Sequence, residues 1–147
     1  MEIKVATIND IMPLCELLNE LFSMEKEFIV NKELQIKGLK KILENNSIGN
    51  IIVATKDKKI IAMVNLLYTI STALGAKVAI LEDMIVSKDF QNQNIGSTLL
   101  EFAKTFAKEI GCKRITLLTD NDNFKAHTFY EKNGFEKSSM IPFRIKL

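Results

Sequence analysis

Residues 78–86 read Val-Ala-Ile-Leu-Glu-Asp-Met-Ile-Val, a near-continuous apolar run interrupted only by two adjacent carboxylates, Glu82 and Asp83. A strand of that kind is buried on both faces, and a sheet covered on both faces needs helices above and below it. The flanking segments supply them. Residues 95–110 place Ile95, Leu99, Phe102, Ala103, Phe106, Ala107 and Ile110 on one helical face and Thr98, Glu101, Lys104, Thr105 and Lys108 on the other, with Gly111 as a left-handed cap. Upstream, residues 3–6 suggest a strand. Asn9 or Asp10 then caps a helix with Pro13 in its first turn and a stripe of Leu14, Leu17, Leu18 and Leu21. A second helix is expected over residues 33–44, followed by a hairpin of strands 51–55 and 60–67 across the polar turn 56–59. Downstream come a strand at 114–118, the capping cluster Asp120-Asn121-Asp122-Asn123, a helix to about Asn133, and a cap at Gly134. A closing strand pair is expected through Phe135 and residues 141–147. The order predicts a mixed α/β fold, a central mixed sheet flanked by helices, as one domain over residues 1–147.

Composition narrows the function. With 147 residues and 47% hydrophobic content the chain can build one real core. Twenty basic against eighteen acidic side chains leave a net charge of +2, too little for a general nucleic-acid binder. The charge divides unevenly, −2 over residues 1–50 and +4 over the rest, so an anionic ligand is expected in the C-terminal two thirds. One histidine and two distant cysteines, Cys15 and Cys112, make neither a zinc site nor a disulfide framework. No metal is expected, and a reducing cytoplasm is the expected location. The first five residues carry no signal-peptide pattern. The longest uncharged run, 60–76, is broken by Asn65, Thr69, Ser71, Thr72 and Gly75, so no membrane span is expected.

The strand at 78–86 runs into the polar loop Gln91-Asn92-Gln93-Asn94-Ile95-Gly96-Ser97 and then into an amphipathic helix. That arrangement presents backbone N–H groups and a helix N-terminus to phosphate. Gly96 lets a pyrophosphate approach the backbone, Asn94 tolerates a positive φ, and Ser97 adds a hydroxyl. The chain has neither G-x-G-x-x-G nor a Gly-Lys-Ser/Thr ending, so dinucleotide and Walker loops are excluded.

The strand Leu81-Glu82-Asp83-Met84-Ile85-Val86, the loop Gln91-x-x-Asn94-x-Gly96, then Asn123 and, seven residues on, Tyr130 within Phe129-Tyr130-Glu131-Lys132-Asn133-Gly134-Phe135 together resemble the GNAT superfamily of acyl-CoA-dependent N-acetyltransferases. The resemblance covers residues 78–137. It departs from the family's Arg/Gln-x-x-Gly-x-Gly/Ala loop at Asn94, the non-glycine type best suited to a left-handed position. It implies a sheet splayed at its middle strands and acetyl-CoA as the acetyl donor. Met84, Ile85 and Val86 would then offer backbone groups to the pantetheine arm and the acetyl carbonyl. Asn92 to Ser97 would hold the pyrophosphate, Asn123 the pantetheine, and Tyr130 would protonate the departing thiolate. Lys88 and Lys125 flank these segments and could meet the 3′-phosphate.

A protonated amine cannot attack a thioester, so a carboxylate must remove a proton. Regular alternation puts Glu82 on the face of Met84 and Val86 and Asp83 on that of Leu81 and Ile85, which makes Glu82 the expected base. A strand bulge would exchange the two. His127, one turn before Tyr130, is read as surface or packing, as are Cys15 and Cys112. Phe22, Met24 and Phe28, with Glu20, Glu25 and Glu27 among them, could shape an acceptor pocket for a cationic amine. The expected function is acetyl transfer from acetyl-CoA to a primary amine, a small molecule, by direct attack in a ternary complex. The Leu-Glu-Asp strand and the Asn-to-Tyr spacing also resemble the polyamine acetyltransferase branch. The alternative is a non-catalytic acyl-CoA-binding sensor or interaction module. The segment 141–147 is an edge through which a homodimer could form.

Overall fold

The computed structural model describes residues 1–25 and 28–147. Five strands form one sheet in the order of the chain: β1 (Glu2–Val5), β2 (Gly49–Lys56), β3 (Lys59–Ser71), β4 (Ala76–Val86) and β5 (Ile115–Leu117). The first four are antiparallel and β5 joins β4 in parallel, which makes the sheet mixed. The helices are α1 (Ile11–Met24), α2 (Lys32–Leu43), α3 (Ile95–Glu109) and α4 (Phe124–Lys132).

Local chemistry accounts for most of these boundaries. Asp10 accepts from the Thr7 N–H at 2.8 Å, closing a single helical turn that leads into α1. The Asn31 side chain caps α2 by accepting from Leu34 N–H at 3.1 Å. Between β2 and β3 the chain reverses in two residues, Asp57 and Lys58, both at positive φ (50° and 64°), the backbone a tight right-twisting hairpin requires.

Period-two alternation along β2 sends Ile52 and Ala54 to one face and Ile51 and Val53 to the other, and both faces are covered. On one side α3 brings Leu99, Leu100 and Ala103 against Val64, Leu66 and Leu81. On the other, Leu14, Leu17 and Leu18 of α1 and Leu39 of α2 meet Met63 and Ile85. The buried stripe of α3 is Ile95, Leu99, Leu100, Ala103 and Ala107, so it takes Leu100 where the sequence reading took Phe102, which is 38% exposed.

The closing strand pair is the one expected element that is missing. Residues 135–147 form neither strand nor helix, and residues 136–147 are exposed. No Gly, Asn or Asp follows Gly134; the turn-forming residues in the segment are Ser138, Ser139 and Pro142, and the Ser138 hydroxyl accepts from Met140 N–H at 3.1 Å. Among the described residues, no helix is long and apolar enough to cross a membrane.

Candidate active site

The sheet parts at the middle of β4. Strand β5 pairs only with Ala79, Ile80 and Leu81, while β4 continues to Val86. From Glu82 onward the backbone groups of β4 that turn away from β3 therefore face an opening.

At the same point β4 carries one extra residue. Met63 and Asn65, two positions apart on β3, pair with Ile85 and Glu82, three apart on β4. Asp83 takes the strain at φ 52°. The bulge breaks the alternation on which the sequence reading of Glu82 rested. Leu81, Met84 and Val86 now share the α3 side while Ile85 faces α1, and Glu82 is exposed. Asp83 is the carboxylate drawn in. Burial pushes its pKa up from 3.8 to about 6, opposed by a hydrogen bond from Asn65 and assisted by the neighbouring Glu82 charge. Asn65 Nδ2 donates to Asp83 Oδ2 at 3.3 Å. Asn65 is itself 2% exposed, and its Oδ1 has no partner among the described residues.

Beyond β4, α1 clamps the chain. Glu20 accepts from Ser87 Oγ and from Lys88 N–H, each at 3.1 Å. After one turn at Lys88–Phe90, the Gln91 side chain donates back to Val86 O at 3.0 Å. Asn92 and Asn94 both adopt left-handed backbone, φ 61° and 62°. Among the described residues, the N–H groups of residues 92–97 meet no protein acceptor; the first one used is that of Thr98, to Asn94 O at 3.2 Å. This row of free donors lies at the positive end of the 15-residue α3. A Cβ on Gly96 would stand 3.3 Å from the Phe129 ring and 3.6 Å from Met84 Cε, so the absent side chain keeps loop, β4 and α4 in close approach. Ser97 Oγ accepts from Asn133 Nδ2 at 3.2 Å, tying α3 to the end of α4.

Tyr130 lies on α4 between Phe129 and Phe135, with ring centroids 5.2 and 5.7 Å away. It packs on the same core face as Met84 and Val86. Burial, helped by the negative charge of Glu25, raises its pKa from 10.0 to about 12. Asn123 caps α4, its Oδ1 accepting from Ala126 N–H at 3.1 Å. His127 Nε2 lies 2.9 Å from Asp120 O, which places the ring in the loop before α4. Lys88 and Lys125 are exposed.

At the end of α1, Phe22 and Phe28 pack with centroids 5.4 Å apart, and Met24 is exposed. Glu20 is occupied as the clamp, whereas Glu25 acts electrostatically on Tyr130; Glu27 lies outside the described residues. Cys15 and Cys112 are free and buried, and burial raises the Cys112 thiol's pKa, which makes it a poor nucleophile near neutrality. Among the described residues no cluster of His, Cys, Asp and Glu could hold a metal ion. The sequence reading passed over Asn65, whose one signal was an amide in an otherwise apolar strand.

A sheet parted beside a row of free N–H groups, with an ionisable carboxylate and a phenol around the gap, is the architecture of an acyl-transferring enzyme. A family profile described as "Acetyltransferase (GNAT) family" matches residues 12–135, and the chain belongs to that family. It is 32% identical over 123 residues to the uncharacterized N-acetyltransferase YhfO of Bacillus subtilis (strain 168), covering 81% of each chain. It is 23% identical over 139 residues to the aminoalkylphosphonate N-acetyltransferase of Salmonella typhimurium, covering 88% of this chain and 90% of that one. Among solved structures, a possible acetyltransferase from Clostridium difficile 630 superposes with a TM-score of 0.91 at 18% identity, over 99% of this chain and 97% of the other.

Proposed function

We propose that residues 1–147 act as one catalytic unit that transfers the acetyl group of acetyl-CoA to a primary amine on a small molecule, by direct attack in a ternary complex. The observation that carries this reading is the bulge, which sets a carboxylate with a pKa of about 6 at the point where β4 and β5 part.

The residues present fit the cofactor. The free N–H groups of Asn92, Gln93, Asn94, Ile95, Gly96 and Ser97 suit a pyrophosphate, and the missing Cβ of Gly96 leaves the backbone approachable. Met84, Ile85 and Val86 carry the exposed β4 edge that a pantetheine amide could pair with, and the Asn123 amide nitrogen is left for the same arm. Gln91 holds the start of the loop. When bound, acetyl-CoA supplies an acyl group activated as a thioester.

Asp83 is assigned the base rather than the exposed Glu82. With a pKa of about 6 it is ionised at neutral pH yet basic enough to take a proton from the amine, directly or through water. Backbone N–H groups of β4 polarise the acetyl carbonyl. Tyr130, held protonated by a pKa of about 12, donates to the leaving thiolate. Glu82 and Glu25 leave negative charge around the opening, which favours a cationic acceptor. Short diamines and aminoalkylphosphonates, the latter the named substrate of the Salmonella relative, are the first acceptors to test. The two free thiols suit a reducing, cytoplasmic location.

The test is release of free CoA across an amine panel, run beside thermal melting with acetyl-CoA and dephospho-CoA. Saturable stabilisation with amine-dependent thiol release is expected. Stabilisation without turnover on any amine would mark a binding module, and no stabilisation at millimolar acetyl-CoA would overturn the reading.

A further inference from the structure

We propose that Asn65 selects the acceptor: its side-chain carbonyl takes an N–H of the attacking nitrogen beside Asp83, which restricts transfer to primary amines. On the acetyl-transfer reading above, on which this depends, Asn65 would make the acceptor an amine rather than an alcohol or a thiol. The amide is out of keeping with the face it occupies. Asn65 is 2% exposed, and its neighbours there are Ile51 across β2 and Met63 and Leu67 two positions away on β3, none with a side-chain donor. Nδ2 is used, donating to Asp83 Oδ2 at 3.3 Å, whereas Oδ1 has no partner among the described residues. A buried carbonyl left without a donor is costly, and a Leu of similar size and shape would avoid that cost.

The orientation of the amide is set by charge. An ionised carboxylate only accepts, so it draws Nδ2 and turns Oδ1 away. Asp83 is half-buried and Asn65 lies one hydrogen bond deeper, so Oδ1 is sealed from bulk water while the carboxylate beside it reaches the opening. The strands are also held least tightly here. Val64 on β3 and Asp83 and Met84 on β4 have no partner in the register between those strands, which leaves the site able to give where a nucleophile enters. The missing donor is one that arrives with the substrate.

The proton count decides which nucleophile supplies it. A primary ammonium carries three N–H groups. One proton goes to Asp83 before attack. As the N–C bond forms and the C–S bond breaks, a second leaves the nitrogen and replaces the one that Tyr130 gives to the thiolate. The third stays in the product amide, so a primary amine holds a donor against Oδ1 from ammonium to product. An alcohol or a thiol has a single proton, which Asp83 takes, and a secondary amine ends as an amide with no N–H. The first two leave Oδ1 unpaired from attack onward and the last once its second proton departs, and the unmet hydrogen bond raises the barrier for each.

The experiment compares the native chain with Asn65→Leu on the best primary amine of the panel and on its N-methyl and hydroxyl analogues, following CoA release from about pH 5 to about pH 9. The two ends of the amide separate by pH. Losing the Nδ2 donor moves the lower limb to higher pH, and the stronger base it leaves does not slow the reaction above that limb, whereas losing Oδ1 lowers the plateau itself. Plateau kcat/KM for the primary amine should fall about ten- to a hundredfold, and the preference for it over both analogues should shrink by the same factor, with acetyl-CoA affinity unchanged. In the native chain bound to CoA, where nothing turns over, the side-chain amide resonance of Asn65 should move on adding the primary amine and stay in place with the alcohol. A plateau unchanged by Leu, an undiminished preference, or a resonance blind to the amine, in a chain that does acetylate that amine, would each overturn the role of Asn65 and leave the acetyltransferase reading standing. No turnover of any amine by the native chain would overturn both.

Discussion

A carboxylate at φ 52° within a strand carries two costs, one of backbone conformation and one of desolvation. Asp83 bears both, and its proposed role as the base is the function that would offset them. Because the base must be ionised, kcat/KM should rise with pH through about 6 and then level off. Asp83→Asn should remove that limb and lower kcat by roughly a hundred- to ten-thousandfold, while Glu82→Gln changes it little; initial rates of CoA release between pH 5 and 8 decide. Asn tolerates a left-handed backbone, so the fold should survive the change. Stability should move the other way. The folded value, about 6, lies above the unfolded one, so this group's contribution is complete below about pH 4 and is lost as pH rises through 6. At pH 7.5 the ionised carboxylate costs the fold up to roughly 3 kcal/mol. Asp83→Asn should therefore melt several degrees higher than the native chain at pH 7.5, with the gap narrowing below pH 6 and closing near pH 4. Asn65 is a positioning residue in this scheme. Replacing it by Leu deletes the donor that lowers the Asp83 pKa, so the lower limb of the rate profile should shift to higher pH. That two carboxylates stood on a central strand was legible in the sequence; which one turned inward was not, because a bulge is set by pairing with β3, and Asn65, which meets Asp83, lies eighteen residues away.

At the scale of elements, the loop before α3 was the most legible part of the site, since its chemistry is local. Asn94 stands at φ 62°, as its residue type allows, and Gly96 lies where a side chain would press on Phe129. Asn94→Gly should leave acetyl-CoA affinity within about threefold, whereas Asn94→Val, forced into a conformation costing roughly 1–2 kcal/mol, should weaken it about five- to thirtyfold. Gly96→Val should be worse still, because it displaces both Phe129 and Met84; titration calorimetry with acetyl-CoA measures all three. The clamp from Glu20 was not legible. A glutamate in a connection reads as surface or as an acceptor contact, and only packing of α1 beside the end of β4 brings its carboxylate onto Ser87 and Lys88. Tyr130→Phe tests the other wall of the opening. It should lower kcat by about ten- to a thousandfold with little change in acetyl-CoA affinity, and unchanged turnover would remove the phenol from the chemistry.

For the molecule as a whole, patterning carried the fold as far as residue 134. Apolar runs on either side of the polar turn 56–59 gave β2 and β3, a near-continuous apolar run gave β4, and helical stripes gave α1 and α3, since each of these segments buries apolar side chains against its own chain. The final segment has an equally clear strand pattern, yet residues 136–147 are exposed and form no strand, so pattern alone did not place it. The same contrast divides the molecule by stability. The middle of β2 (Ile51 to Ala54), the middle of β3 (Ile61 to Leu66) and the core-facing positions of α3 are buried, whereas α4 has no buried residue and reaches the core through half-buried aromatics. Local opening should follow that division, with the slowest amide exchange in β2, β3 and the first half of β4 and the fastest at α4 and residues 82–97. Acetyl-CoA that bridges the β4 edge, the loop and Asn123 would bind only when these three are closed together. At a hundred times its dissociation constant it should stabilise the fold by about 2.7 kcal/mol and raise the melting temperature by roughly 5–10 °C. It should also slow exchange at residues 82–97 and 123–132 while leaving β2 unchanged in rank. Protection confined to the loop, with α4 unaltered, would show that the phosphates bind without closing the opening and would remove Asn123 from the cofactor site.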